Sequence, residues 1–335
     1  MTASAQAEML KLEHSEPPET SDAAAPTEAG LDSLPESITQ QYWIVSSWAS
    51  PQQFDNSPRQ FRPQVTCYRN GQGYCCATIK DLRDSLIPGV PICLVVHGSF
   101  MDHPSVRPES LSTWRWLTSA GQAVQFIYFS WPSDRPMTLA QLDIAILGNR
   151  ASYNGFYLAS LIKELPPECP ISLIGHSHGT RVISSALHLM SGGDVEGITH
   201  PCATCSGRRI RTVFVASAID HDWLNPQEHF GRALMCTECL INLRNHKDPA
   251  LVIYPFRRIG SSRALGCTGF TRSDRRDLNG WSGKVRDLDV SWMIGPRHMW
   301  PSYLAQKGLA RQLQNYLFFA DSLPPFVPAG MSTSE

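Results

Sequence analysis

The feature that most constrains this chain is a short stretch in which a strand pattern passes directly into a helix pattern. The apolar run 171–174 stops at a Gly-x-Ser-x-Gly motif centred on Ser177, and apolar residues then recur at helical intervals over 182–190. This predicts a buried strand, a tight turn and an amphipathic helix. Gly175 and Gly179 suit a turn at which strand and helix nearly touch, and such a nucleophile elbow exposes the Ser177 hydroxyl. A tight turn without a catalytic role remains the alternative.

The predicted helix after Ser177 has a further consequence for charge. Its first N–H groups and its partial positive charge favour negative charge on a substrate oxygen. We therefore expect the N–H of His178 to be one oxyanion donor. The second is expected from the loop after the apolar run 92–96, where Gly98 lets the main chain approach and the N–H of Ser99 or Phe100 donates.

Strand and helix patterns alternate along most of the chain. Helical spacing at 111–117 and 156–165 separates runs typical of strands, which are 92–96, 124–129, 171–174, 210–216, 240–243 and 285–290. This order predicts an α/β fold with a mostly parallel twisted sheet and helices on both faces. Three earlier strands, at 42–45, 65–68 and 74–77, are expected to make the start of the fold antiparallel.

Length and composition indicate one catalytic domain. The chain has 335 residues, of which 42% are hydrophobic and 18% charged, and this fits one α/β domain of roughly 250–300 residues plus a tail. Residues 1–40 contain eight acids and one lysine with few aromatic residues, so we expect a disordered acidic tail. The single α/β domain is expected over 41–323 and a flexible C-terminus over 324–335.

Several partner classes are disfavoured by the same patterns. The arginines are scattered without interleaved aromatic residues, so we expect no nucleic acid. No apolar stretch approaches the ~20 residues of a membrane span, and no basic segment followed by an apolar run opens the chain. These features favour a cytoplasmic protein, and they leave the oligomeric state open.

Ten cysteines are present, several of them in strand-like apolar runs. They are expected to be reduced, partly buried thiols. The alternative is a zinc site, because Cys202, Cys205, Cys236 and Cys239 form two Cys-x-x-Cys pairs. We expect neither a metal nor a cofactor.

Two loops downstream of Ser177 supply the groups that a serine nucleophile needs. A serine hydroxyl is weakly nucleophilic near neutral pH, so an imidazole must accept its proton, and a carboxylate must orient that imidazole. Asp248 follows the predicted strand 240–243, and His298 follows the strand 285–290. Asp220, just past the strand 210–216, is the reserve acid. The alternatives without a catalytic role are that Asp248 forms a turn and that His298 is a packed surface histidine.

Five segments carry a family resemblance: 129–133 (Phe-Ser-Trp-Pro-Ser), 175–179 (Gly-His-Ser-His-Gly), 216–220 (Ala-Ser-Ala-Ile-Asp), 245–251 and 290–298. Together they resemble an uncharacterised branch of the α/β-hydrolase superfamily over about residues 41–305. The resemblance implies an α/β-hydrolase fold with Ser177 as nucleophile, Asp248 as acid and His298 as base. His178 departs from the pattern, because many relatives have an aliphatic or small residue there, and we expect it to shape the pocket.

These observations favour a serine hydrolase that cleaves a small-molecule ester or thioester through an acyl-enzyme on Ser177. An acyltransferase or a peptidase would use the same three residues. A non-catalytic binding protein on a hydrolase scaffold is the alternative from another class. Only a short connection fits between 218 and 239, so the mouth of the site is expected to be open, with 256–284 as the lid or specificity loop.

Overall fold

The structure, a computed structural model, describes residues 40–52, 60–135, 140–201, 207–257 and 260–321. The expected C-terminal segment 324–335 and all of the expected acidic tail except Gln40 lie outside these residues. The strands are β1 (Gln41–Ser46), β2 (Gln64–Arg69), β3 (Gly73–Ala77), β4 (Ile92–Val96), β5 (Gln125–Ser130), β6 (Ile171–His176), β7 (Asp194–Val195), β8 (Ile198–Thr199), β9 (Ile210–Val215), β10 (Cys239–Arg244) and β11 (Val285–Asp289).

Four longer helices and several single turns connect these strands. The α-helices are α1 (Ile79–Ser85), α2 (His103–Thr118), α3 (Ala140–Glu164), α4 (Gly179–Met190), α5 (Pro249–Val252), α6 (Leu265–Thr268), α7 (Arg272–Asp277), α8 (Ser291–Ile294), α9 (Trp300–Leu304), α10 (Leu309–Gln312) and α11 (Gln314–Leu317). Short 3₁₀ turns occupy Ala233–Met235, Tyr254–Arg257 and Asn279–Lys284. The expected lid, 256–284, thus contains α6, α7 and a 3₁₀ turn in its described part.

One nine-stranded sheet organises the described part of the chain, in the order β11-β10-β9-β6-β4-β5-β1-β2-β3. The seven strands from β11 to β1 are mutually parallel. Strand β2 is antiparallel to both β1 and β3. The prediction of an α/β protein with a largely parallel sheet and an antiparallel start is therefore confirmed.

The core has two layers, one on each face of the sheet. In β4, Ile92, Leu94 and Val96 belong to one buried cluster, while Cys93 and Val95 belong to the other. Successive strand residues point to opposite faces, so a strand buried on both sides is apolar throughout. This explains why the central strands appear in the sequence as continuous apolar runs.

The cysteines depart from the expectation at one position. Cys236 is disulfide-bonded, whereas the other cysteines of the described ranges are free thiols. The expectation of reduced thiols is therefore wrong at Cys236, since pairing depends on distances between chain segments that spacing does not reveal. A disulfide sulfur is not the thiolate that zinc needs, so the four-cysteine site loses a ligand.

Candidate active site

Ser177 occupies a strained turn between β6 and α4. Its φ is +51°, in the left-handed region that non-glycine residues rarely adopt. A Cβ on Gly179 would lie 2.2 Å from the carbonyl oxygen of Val96, and one on Gly175 would lie 2.8 Å from the backbone N of Thr180. Both glycines are therefore required by close backbone approach. The turn is held by the Ser177 N–H, which donates to Val215 O at 2.9 Å.

Three side chains from distant parts of the chain meet at this turn. His298 Nε2 lies 3.0 Å from Ser177 Oγ, and His298 Nδ1 lies 2.7 Å from Asp248 Oδ2. With the proton of the imidazole on Nδ1 and donated to the carboxylate, Nε2 accepts a hydrogen bond from the serine hydroxyl. Such a chain of hydrogen bonds can accept the serine proton while its oxygen attacks a carbonyl carbon.

Asp248 is fully buried and has partners at both oxygens. Oδ1 accepts hydrogen bonds from Ala250 N at 2.9 Å and Leu251 N at 3.3 Å, so the residue caps α5. Oδ2 is left for His298. A buried carboxylate needs such partners because desolvation disfavours its charge. The capping role and the contact with His298 thus fix one orientation of the carboxylate.

Asp220, the reserve acid, lies in a different environment. Its carboxylate accepts hydrogen bonds from Tyr254 Oη at 2.7 Å, Ser261 Oγ at 3.0 Å and Ser262 N at 2.9 Å. It therefore ties the segment around residue 261 to the end of β9. The ring nitrogens of His298 contact Asp248 and Ser177 instead.

Two buried polar residues hold the loop of His298, and sequence reasoning assigned neither to the site. His176 donates from Nε2 to the carbonyl oxygen of His298 at 2.9 Å. Asn245 donates from Nδ2 to Gly295 O at 2.8 Å and to Arg297 O at 3.3 Å. Burial lowers the pKa of His176 to about 3, so its ring is neutral at physiological pH. For His176, a polar residue at the end of a continuously buried strand was the signal available.

The loop after β4 presents its main chain beside Ser177. The expected donor Phe100 is already engaged, because its N–H donates to Ser133 O at 2.7 Å. The Ser99 N–H has no acceptor among the described residues, so of the two expected donors it is the one not engaged elsewhere. Ser99 Oγ also lies 2.5 Å from His178 Nδ1, so the side chain of the unusual second histidine contacts the loop that carries Ser99.

His97 holds the loop after β4 through contacts of its ring. Its ring stacks between Tyr128 and Trp131, with centroid distances of 5.7 and 5.8 Å. Its Nε2 accepts a hydrogen bond from Trp131 N at 3.1 Å, and Nδ1 lies 2.8 Å from Gly98 O. Burial lowers the pKa of His97 to about 4, so a neutral ring positions the loop.

Within the described ranges, no group of three or more His, Cys, Asp or Glu side chains is arranged to hold a metal ion. No helix in the part of the chain that the structure describes is both long and apolar enough to cross a membrane.

Comparison with known proteins yields structural neighbours only. No protein-family model matches the chain, and no curated protein matches it in sequence. One structural neighbour is an acetylxylan esterase solved at 0.90 Å, at 11% identity and a TM-score of 0.35, covering 69% of this chain and 96% of that one. An iodinated complex of acetyl xylan esterase gives 11% identity, the same coverages and a TM-score of 0.32.

Proposed function

We propose that the protein is a serine hydrolase of the α/β-hydrolase fold, which cleaves an ester or thioester through an acyl-enzyme on Ser177. The observation that carries the proposal is the continuous hydrogen-bonded chain from Asp248 through His298 to Ser177. Its position on a strained strand-to-helix turn adds support, because such a turn exposes the nucleophile beside a helix N-terminus.

The reaction follows from the roles of these groups. His298 accepts the Ser177 proton while the serine oxygen bonds to the carbonyl carbon. The N–H groups of Ser99 and His178 stabilise the oxyanion. The bond to the leaving group then breaks, and His298 donates the proton to the departing alcohol or thiol. Water, activated by the same imidazole, hydrolyses the acyl-enzyme and restores Ser177.

Labelling tests the nucleophile directly. The full chain should react with a fluorophosphonate and gain one phosphonyl group on Ser177, identified by peptide mass spectrometry. Ser177→Ala should lose both labelling and ester turnover, while its circular dichroism stays unchanged because alanine suits the turn sterically. Residual labelling of Ser177→Ala at the wild-type rate, or unchanged ester turnover, would refute the proposal.

The leaving group and acyl chain require a substrate series. A panel of p-nitrophenyl esters and acyl thioesters of graded length should give a maximum in kcat/KM at one chain length. Turnover that requires an added acceptor alcohol or amine would assign an acyltransferase instead.

A further inference from the structure

We infer that an apolar rim around the candidate active site docks on an anionic phospholipid surface, from which the substrate would be drawn. The proposal deepens the proposed function, since it names the phase in which the acyl substrate resides. The rim consists of Phe100, Val252, Trp292, Met293 and Met299.

The rim is defined by exposure. Six large apolar side chains of the described residues are exposed: Phe100, Met235, Val252, Trp292, Met293 and Met299. All but Met235 lie on the three loops that carry Ser99, Asp248 and His298. Trp292 is 85% exposed, although tryptophan is usually buried for most of its surface. Clustered exposed apolar groups mark an interaction site rather than chance exposure.

The topology explains why these side chains share one edge of the molecule. Phe100 follows β4, Val252 lies one helical turn after Asp248 in the loop of β10, and Trp292, Met293 and Met299 follow β11. These strands are parallel, so their carboxyl ends open on the same side of the sheet as Ser177.

Positive charge accompanies the rim. Lys247 Nζ lies 3.3 Å from the ring centroid of Trp292, and the guanidinium of Arg135 lies 5.2 Å from the ring of Phe100. Arg297 is exposed beside Met299 and has no ion-pair partner among the described residues. Tryptophan with lysine and arginine is the combination that favours the boundary between lipid headgroups and acyl chains.

The carboxylates near the rim do not cancel this charge. Asp289 pairs with Arg244 and lies 3.6 Å from His246. Asp102, two residues after Phe100, is exposed and caps α2 by accepting from Ser105 N at 3.0 Å, so it keeps its charge and offsets one cation of the rim. Lys247 and Arg297 therefore leave the rim net positive, which complements an anionic surface and distinguishes it from a neutral one.

Vesicle flotation tests the docking without relying on turnover. The full-length Ser177→Ala protein is mixed with vesicles of phosphatidylcholine alone or of phosphatidylcholine with phosphatidylglycerol. We expect binding to the anionic vesicles to be about tenfold stronger and to weaken with added salt. Trp292 is the most exposed of the nine tryptophans, so the fluorescence of the bound protein should shift to the blue.

Two variants separate docking from general stickiness. Trp292→Ser combined with Met293→Ser should lower binding to anionic vesicles about tenfold. Met235→Ser is the matched control. Met235 is also exposed, but it precedes β10 and therefore lies at the amino ends of the parallel strands, away from Ser177. Thermal melting of each variant confirms folding.

Each outcome has a definite reading. Absence of binding by the folded protein, or binding that the double variant retains, overturns the docking proposal. If the rim binds an acidic protein but the protein binds no vesicle, the docking proposal is also overturned. Because binding is measured on Ser177→Ala, failure of the docking proposal is distinguished from failure of the proposed hydrolase, which labelling of the wild-type protein decides.

Discussion

At the residue scale, the site depends on how Asp248 is held. Its carboxylate is fully buried, caps α5 with one oxygen and contacts His298 with the other. Neither oxygen can rotate away without leaving a backbone N–H or an imidazole N–H unpaired. The orientation of His298 is further fixed by His176, which donates to its carbonyl oxygen. One carboxylate therefore links the local cap to the geometry around Ser177.

Replacing Asp248 by Asn tests this orientation. The amide donates to His298 Nδ1, so the imidazole proton lies on Nε2 instead. A protonated Nε2 cannot accept the proton of Ser177. We expect kcat to fall by on the order of 10⁴-fold with the fold retained, measured by ester turnover and circular dichroism. Asp220→Asn is the matched control, and it should lower the melting temperature rather than kcat, because Asp220 accepts hydrogen bonds from Tyr254, Ser261 and Ser262. The reverse pattern in the two variants would contradict the assignment.

At the scale of elements, the elbow is supported by close packing of α3 on α4. Gly155 in α3 lies against Ser185 in α4, whose hydroxyl donates to Ser152 O at 2.6 Å. A Cβ at position 155 would lie 2.2 Å from Ser185 Oγ and 2.8 Å from Ala186 N. The helix that begins just after Ser177 is thus held against its neighbour by a contact that only glycine permits.

Gly155→Ala is expected to separate these helices. The steric overlap should cost more than the ~1 kcal/mol that alanine gains in helix propensity, so we expect a net loss of about 2 kcal/mol in the free energy of unfolding. Gly283→Ala is the control, since no atom lies within 4 Å of a Cβ at Gly283. Denaturant unfolding of both variants makes the comparison, and equal midpoints would show that α3 can shift without cost.

At the scale of the whole molecule, the parallel sheet gathers residues that are far apart in the chain. His298 is 121 residues from Ser177 and 50 from Asp248, yet it contacts both. The same sheet buries titratable groups. Burial lowers the pKa of His97 and His176, and it raises the pKa of Glu109 to about 7, although a hydrogen bond from Tyr128 acts in the opposite direction.

Glu109 predicts a pH dependence of stability with a definite sign. Its folded pKa of about 7 lies above the ordinary 4.5, so the folded state retains a proton that the unfolded state releases. Its contribution to stability is therefore present below about pH 4.5 and lost as the pH rises through 7. Glu109→Gln keeps the acceptor for Tyr128 without the charge. We expect it to exceed wild type by about 1 kcal/mol at pH 8, since partial exposure screens the charge.

The measurement is the difference in free energy of unfolding between the two proteins from pH 4.5 to 8. Because both share His97 and His176, the protonation of these histidines cancels in the difference. The advantage of Glu109→Gln should shrink as the pH falls, and a difference independent of pH would contradict the assignment.

The sequence by itself determined the features that depend on neighbouring residues. Glycine spacing around Ser177 predicted a strand, a tight turn and a helix, and continuous apolar runs predicted buried parallel strands, because these patterns reflect local sterics and burial on both faces. Only the tertiary structure decided which distant groups meet. It brings Asp248 rather than Asp220 to His298. It pairs the Phe100 N–H with Ser133 O, whereas the Ser99 N–H has no acceptor among the described residues. It also places Cys236 in a disulfide. Each of these depends on the relative positions of segments far apart in sequence, which no local pattern encodes.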